Sequence, residues 1–242
     1  IGLYMYDLLS GNLSFGPSKW LSKAQMIKDV ATVKTEKLQG GISFQDGQFD
    51  DARLAIELMR TAADHEAAVI NYAEVISFTK NAKDKITGLV FKDTLNESSI
   101  EVLAKSIINA TGVFVDDILQ LDEANKPPTV VASQGSHIVV DKKFLPGKDG
   151  LMIPKTSDGR VLFALPWHDK CLMGTTDHAV KGIAIDPKPL KEEIDFIITT
   201  AKQYMDPAPT HADILSVFAG LRPLAAPTDN KNSTKEISRS HK

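Results

Sequence analysis

The chain has 242 residues, of which 43% are hydrophobic, and its formal net charge at pH 7 is −3. That hydrophobic content supports a sizeable core rather than disorder, and the small negative charge argues against a broad nucleic-acid surface. The lone Cys171 excludes an internal disulfide and a multi-cysteine metal site, and no run approaches the roughly 18 apolar residues of a spanning helix.

The first 65 residues predict three helices. Apolar residues near helical spacing indicate a helix over 1–9, and Ser22 with Gln25 fits a capping box for a short helix starting at Lys23. A short strand is expected over 42–44, and Asp50 can cap a third helix over 51–65. The apolar residues of this third helix share one face, which we expect to pack against a core: Leu54, Ala55, Leu58, Met59 and Ala62.

The next segment predicts short strands and a buried strand that ends on glycine. The strands are expected over 67–72, 74–79 and 86–92, and the buried strand over 107–112. A strand–helix–strand unit followed by a meander and another buried strand is typical of part of an α/β nucleotide-binding domain.

The second half of the chain predicts antiparallel strands. Short β runs alternate with Gly, Pro and Asp, a spacing that favours antiparallel pairing, and they cover 136–141, 151–154, 161–166 and 171–175. Pro187 and Pro189 precede a helix with one apolar face, and further strands are expected over 214–221 and 235–240.

The predicted fold is therefore mixed α/β and α+β. It comprises part of an α/β nucleotide-binding domain and a mostly antiparallel β domain with flanking helices. The predicted boundaries are 1–40 for a helical region, 41–115 for the partial nucleotide-binding domain and 116–242 for the antiparallel domain.

One arginine stands out from its position alone. Arg222 follows the apolar run 215–221 and precedes a proline, so it is expected to emerge at the end of a buried strand. A planar cation with five donors suits a phosphate or carboxylate there. Pairing with a structural acid explains the same position equally well.

Five stretches, in chain order, together resemble the FAD-dependent glycerol-3-phosphate dehydrogenases. The resemblance covers nearly the whole chain, and the stretches are Gly40 to Leu54, Ile108-Asn109-Ala110-Thr111-Gly112, Ser133 to Val139, Leu162 to Asp177, and Phe218 to Leu224. The Ala-Thr-Gly turn is weak evidence by itself, whereas the segments around His137, Trp167 to Asp177 and Arg222 are specific in this order.

The resemblance implies a two-domain flavoenzyme that oxidises sn-glycerol 3-phosphate to dihydroxyacetone phosphate. It makes 41–115 part of an FAD-binding, Rossmann-like domain, 116–242 the antiparallel substrate-binding domain and 1–40 a helical part of the substrate region. Hydride would pass to FAD and electrons onward to a quinone, in a cytoplasmic protein peripheral to the inner face of the membrane. Two alternatives stay open: a glycerol-3-phosphate oxidase that uses oxygen, and, for this chain by itself, a flavin-free module without catalysis.

The resemblance also assigns site residues. It makes His137 the candidate base, because the substrate hydroxyl needs a proton acceptor, and places Arg222 and Arg239 near the substrate phosphate. The predicted cofactor contacts are Ala110, Thr111, Gly112, Thr175, Thr176 and Asp177. Plain alternatives are a structural histidine, a surface charge at Arg239 and a side chain–backbone turn at 175–177. No metal site is expected.

The chain departs from the family pattern at both ends. No G-x-G-x-x-G follows a strand, so the turn that binds a pyrophosphate at a helix N-terminus is missing from these 242 residues. The family's C-terminal substrate and FAD contacts would also fall beyond Lys242. We therefore expect an internal fragment of a longer protein, with FAD bound weakly or not at all by this chain alone.

Overall fold

The computed structural model describes residues 2–10, 15–154, 156, 159–180 and 182–226. The chain divides into two compact units, one formed by 46–129 and the other by the segments on either side. The predicted domains, with boundaries at 40 and 115, stay a prediction. The functional roles given to the domains stay predictions, and Arg239 and the predicted strand 235–240 lie outside the described residues.

Local pairing accounts for the limits of the two units. The strand that begins at residue 40 pairs with an earlier strand of the first unit and so belongs to that unit. At the other end, Thr129 donates to the Asp116 carboxylate from its backbone N–H at 2.9 Å and from Oγ1 at 2.6 Å. These hydrogen bonds hold the segment up to 129 in the second unit.

The first unit begins with two helices and a small sheet. Its elements are α1 (Gly2–Ser10), β1 (Lys19–Ser22), α2 (Lys23–Asp29) and β2 (Gly40–Ser43), and β1 and β2 pair antiparallel. The Ser22 side chain accepts from the Gln25 N–H at 3.3 Å, so the predicted start of α2 is confirmed.

The second unit contains a long helix and an antiparallel meander. Asp50 caps the helix by accepting from the Arg53 N–H at 3.0 Å, as predicted. The strands pair in chain order, and a short helix follows them. The elements are α3 (Asp51–Asp64), β3 (Ala73–Lys80), β4 (Ile86–Asp93), β5 (Ser99–Leu103), a 3₁₀ turn (Gly112–Phe114) and α4 (Val115–Gln120).

Three predictions for the second unit are wrong in this structure. None of the residues of α3, all of them described, is buried, and Leu58 is 61% exposed. The period of a helix identifies its apolar face but not what covers that face. Residues 67–72 and 107–112 lie in no described strand, and Ile108 is 89% exposed. An apolar run becomes a strand only where a neighbour supplies ladder hydrogen bonds.

A six-stranded antiparallel sheet dominates the first unit. Its strands and the helix that packs on it are β6 (Val130–Asp141), β7 (Leu151–Ile153), β8 (Leu162–Trp167), β9 (Lys170–Gly174), β10 (His178–Ala179), α5 (Lys191–Tyr204) and β11 (Ile214–Ala225). The long strand β6 pairs with β11 along one edge and with β9 and β10 along the other, while β8 and β7 extend the sheet beyond β9. The antiparallel strands predicted over 136–141, 151–154, 161–166 and 171–175 are confirmed, and so are the strand predicted over 214–221 and the helix after Pro189. Two 3₁₀ turns, Lys142–Phe144 and His211–Asp213, complete the unit.

The two faces of β6 have different partners. Successive side chains of a strand point to opposite faces. Ile138 and Val140 enter the core with Ile197 of α5, so the even-numbered residues define the inner face. Ser133, Gly135 and His137 belong to the outer face. Residues 133–136, although three of the four have polar side chains rather than the apolar ones that a core would need, are all buried within β6.

Candidate functional site

His137 lies on the outer face between two neighbouring strands. It pairs with Phe218 of β11 and with Gly174 of β9. Its ring stacks on Phe218 with 5.1 Å between centroids and 12° between planes. A Cβ on Gly174 would lie 2.7 Å from the imidazole Nε2, so the ring occupies the space that any larger residue at this position would fill. The stack and the glycine together fix the orientation of the ring.

Arg222 lies on the same face, and its guanidinium lies over Gly135. A Cβ on Gly135 would lie 2.5 Å from Cζ of Arg222 and closer still to both terminal nitrogens. The guanidinium donates from Nη2 to Thr175 Oγ1 at 2.6 Å and from Nη1 to the Thr176 carbonyl at 3.2 Å. Both of these acceptors are neutral, and both belong to the connection that follows β9.

The connection 175–177 joins the outer site to the interior of the unit. Thr175 Oγ1 donates to the Thr176 carbonyl at 3.1 Å, which is the side chain–backbone turn considered from the sequence. The Asp177 carboxylate accepts from Ser133 Oγ, and the Asp177 carbonyl accepts from Arg160 Nη1 at 2.6 Å. The predicted contact of these residues with a cofactor stays a prediction.

Glu193, in the first turn of α5, is the buried acid of this region, with 4% of its surface exposed. Its carboxylate accepts from Gln134 Nε2 and Ser136 Oγ, each at 2.7 Å, and from Thr176 Oγ1 at 2.5 Å. The Leu190 N–H donates to it at 2.9 Å. Burial raises the pKa of the Glu193 carboxyl, but these four hydrogen bonds outweigh burial and leave the pKa below its ordinary value.

The spacing of His137 and Arg222 defines what the site can do. The guanidinium lies over Gly135, two residues before His137 on the same strand, so the two groups are offset by one strand repeat, about 7 Å. A cation and an imidazole at that separation can engage two different groups of one small molecule. The cation can hold an anionic group while the imidazole accepts a proton from a hydroxyl.

The other predicted cofactor residues belong to the second unit. Ala110, Thr111 and Gly112 are exposed, and Thr111 Oγ1 donates to Asn109 Oδ1 at 2.8 Å. Gly112 has φ +61°, and no described atom lies within 4 Å of a Cβ built on it. A flat ligand can therefore approach this backbone closely. The role of this turn stays a prediction.

Sequence reasoning missed several residues that shape the site. Gly135 and Gly174 make room for the two functional side chains, Phe218 stacks on His137, and Glu193 anchors Thr176. A usable signal was the polar stretch 133–136 directly before His137, because polar residues in a strand need partners. In the described part of the chain, no cluster of His, Cys, Asp and Glu could hold a metal, and no helix is long and apolar enough to cross a membrane.

Comparison with known proteins identifies the class. The family profile described as FAD dependent oxidoreductase matches residues 5–239, and the chain belongs to that family. It is 37% identical to the mouse protein named glycerol-3-phosphate dehydrogenase, mitochondrial, over all of this chain and 34% of that protein. The chain thus spans about a third of the length of this curated relative.

Solved structures confirm the mixed α/β and antiparallel fold. The glycerol-3-phosphate dehydrogenase of Bacillus halodurans, solved in complex with FAD, superposes with a TM-score of 0.80 and 32% identity, over 86% of this chain and 42% of that one. The L-alpha-glycerophosphate oxidase of Mycoplasma pneumoniae, with FAD bound, gives a TM-score of 0.66 at 22% identity, over 87% and 54%. This second likeness concerns the fold alone.

Proposed function

We propose that the protein is an FAD-dependent glycerol-3-phosphate dehydrogenase that oxidises sn-glycerol 3-phosphate to dihydroxyacetone phosphate. The observation that carries the proposal is the pair His137 and Arg222. They share one face of the sheet, where Arg222 pairs with Ser133 and extends its guanidinium over Gly135 toward His137, whose ring lies over Gly174. The relatives' names add support, since they specify this substrate class.

The chemistry of the substrate matches these two residues. A phosphate monoester carries about −1.5 to −2 charges near neutral pH, so a cation must fix it. Arg222 would bind this group through its guanidinium, whose direction Thr175 and Thr176 hold. The C2 hydroxyl would then lie toward His137, whose imidazole accepts the hydroxyl proton while the C2 hydrogen leaves as hydride. The Phe218 stack keeps the ring from turning away.

FAD is the proposed cofactor, and the exposed glycine turn of the second unit suits it. The open space beside Gly112 lets a flat group approach the backbone of Ala110, Thr111 and Gly112. Bound FAD would supply the acceptor for the hydride that leaves C2. On the first unit, Thr175, Thr176 and Asp177 are the proposed contacts.

The electron acceptor is a further part of the proposal. We propose a quinone and a cytoplasmic position peripheral to the inner face of the membrane, both on the family resemblance. An oxidase that reduces oxygen is the alternative. Steady-state turnover with a soluble quinone analogue and with oxygen as the only acceptor separates the two, because an oxidase would produce stoichiometric hydrogen peroxide.

Two variants of the complete protein test the assignment. Arg222→Ala should raise KM for glycerol 3-phosphate and lower kcat/KM by about 10- to 150-fold. This range corresponds to the loss of about 1.5–3 kcal/mol from charge-assisted hydrogen bonds to the substrate. Arg222→Lys should recover only part of this, because a point charge replaces a planar fork. An unchanged kcat/KM in Arg222→Ala would refute the phosphate assignment.

The second variant tests the base. His137→Gln should lower kcat by about 10²- to 10⁴-fold and flatten the acidic limb of the pH–rate profile, while Tm barely moves. If the variant unfolds several degrees early with near-normal kcat, His137 is structural instead.

A further inference from the structure

Glu193 lies on the inner face of the sheet, opposite His137 and Arg222. Its carboxylate accepts from Gln134 and Ser136, whose side chains point inward, and α5 packs against that same side of the sheet. A ligand bound on the outer face could not touch it. Any effect of Glu193 on such a ligand must therefore pass through another residue.

Thr176 provides a continuous path of hydrogen bonds between the two faces. Its Oγ1 donates to Glu193 at 2.5 Å and accepts from the Ser136 N–H at 2.8 Å, which holds the residue from two sides. The Thr176 carbonyl accepts from Arg222 at 3.2 Å and from Thr175 Oγ1 at 3.1 Å. Thr175 Oγ1 in turn accepts from Arg222 at 2.6 Å. Thr176, which is anchored to the buried Glu193 carboxylate, thus fixes the two oxygen atoms that orient the guanidinium of Arg222.

We infer that Glu193 is a positioning residue for substrate binding, which sets the direction of the Arg222 guanidinium through Thr176. The inference rests on the proposed function of Arg222. The four donors around the carboxylate come from three places: two from β6, one from the connection after β9 and one from the start of α5. In Glu193→Gln the amide oxygen can keep the three donors that share Oε2, and the amide NH2 then faces Thr176 Oγ1. The Thr176 hydroxyl loses the carboxylate to which it donates and has to reorient, which loosens the residue that holds the acceptors of Arg222.

The test is a double-mutant cycle in the complete holoenzyme with glycerol 3-phosphate as substrate. Glu193→Gln should raise KM roughly 3- to 30-fold, the range for residues that modulate a site without contacting its ligand, with kcat changed less than about threefold. In an Arg222→Ala background, the same substitution should change KM by less than about twofold, because the group through which it acts is gone. Equal effects of Glu193→Gln in both backgrounds, or no effect in either, would overturn the inference.

Two further variants complete the design. Glu192→Gln removes an exposed carboxylate from the same helical turn and should leave KM unchanged. If Glu193→Gln lowers flavin content or fails to fold, Thr176→Val removes the hydroxyl link at similar volume and enters the same cycle in its place. The proposed function fails separately, because in that case Arg222→Ala itself leaves KM unchanged.

Discussion

Gly135→Ala is the sharpest test of how the site is built. The new Cβ would lie 2.5 Å from Cζ of Arg222, whereas carbon atoms in contact prefer about 3.5–4.0 Å. The guanidinium must therefore move by about 1–1.5 Å. Its hydrogen bonds to Thr175 and Thr176 are 2.6 and 3.2 Å long, and a shift of that size takes at least one of them beyond bonding distance.

The expected result is a loss of substrate binding without a loss of stability. Displacing a charge-assisted contact, rather than deleting it, should cost about 1–2 kcal/mol, or about 5- to 30-fold in kcat/KM for glycerol 3-phosphate. The fold should tolerate the change, since the atoms that move belong to the end of a flexible side chain. Steady-state kinetics and Tm of the complete holoenzyme measure both quantities.

Gly220→Ala is the matched control. Gly220 pairs directly with Gly135, and no described atom lies within 4 Å of a Cβ built on it. Both substitutions reduce the freedom of the unfolded chain to the same extent, so the difference between them reports the collision with Arg222. If Gly135→Ala keeps normal kinetics, or if Gly220→Ala loses as much, the guanidinium over Gly135 does not bind substrate.

Two other predictions concern buried groups. Burial raises the pKa of Cys171 to about 12. The native protein should therefore resist a thiol reagent at pH 8 and react with it fully once denatured. Stoichiometric labelling of the native protein would contradict this prediction. The folded-state pKa of Glu193 lies below its ordinary 4.5, so its ionised form contributes stability that is present above pH 4.5 and lost as the pH falls through the folded pKa. The Tm advantage of the native protein over Glu193→Gln should therefore be largest near neutral pH and shrink in acid, and a constant difference from pH 7 to 3 would show that the charge of Glu193 contributes nothing.

Local signals in the sequence predicted most elements of the first unit. The apolar face of α5, the cap of α2 at Ser22 and the short β runs separated by turns all depend on neighbours within a few residues. The polar stretch 133–136 indicates that its side chains need partners but does not identify them. Gln134 and Ser136 are satisfied by Glu193, more than 55 residues away in the sequence, and periodicity carries no information about a partner at that distance.

The second unit shows more clearly what a sequence pattern cannot predict. The apolar pattern of α3 correctly identified a helix, but the predicted burial of Leu54 and Leu58 was wrong. The run 107–112 is apolar enough for a strand and lies in none that the structure describes. A sequence pattern determines which face of a segment can be buried. A strand forms only where another strand pairs with it, and an apolar face is buried only where another element packs against it.

The register of β11 determines whether a site exists at all. Ile214 pairs with Val140, but Ser216 pairs with Val139, so Leu215 is an extra residue that forms a bulge. If the Ile214 pairing continued without that residue, Phe218 would face Ser136 and Arg222 would face Ala132, both on the inner face. A one-residue slip exchanges the two faces of a strand. The bulge places Phe218 beside His137 and brings Arg222 to the outer face. The candidate site therefore depends on one inserted residue near the end of a strand as much as on the side chains that perform the chemistry.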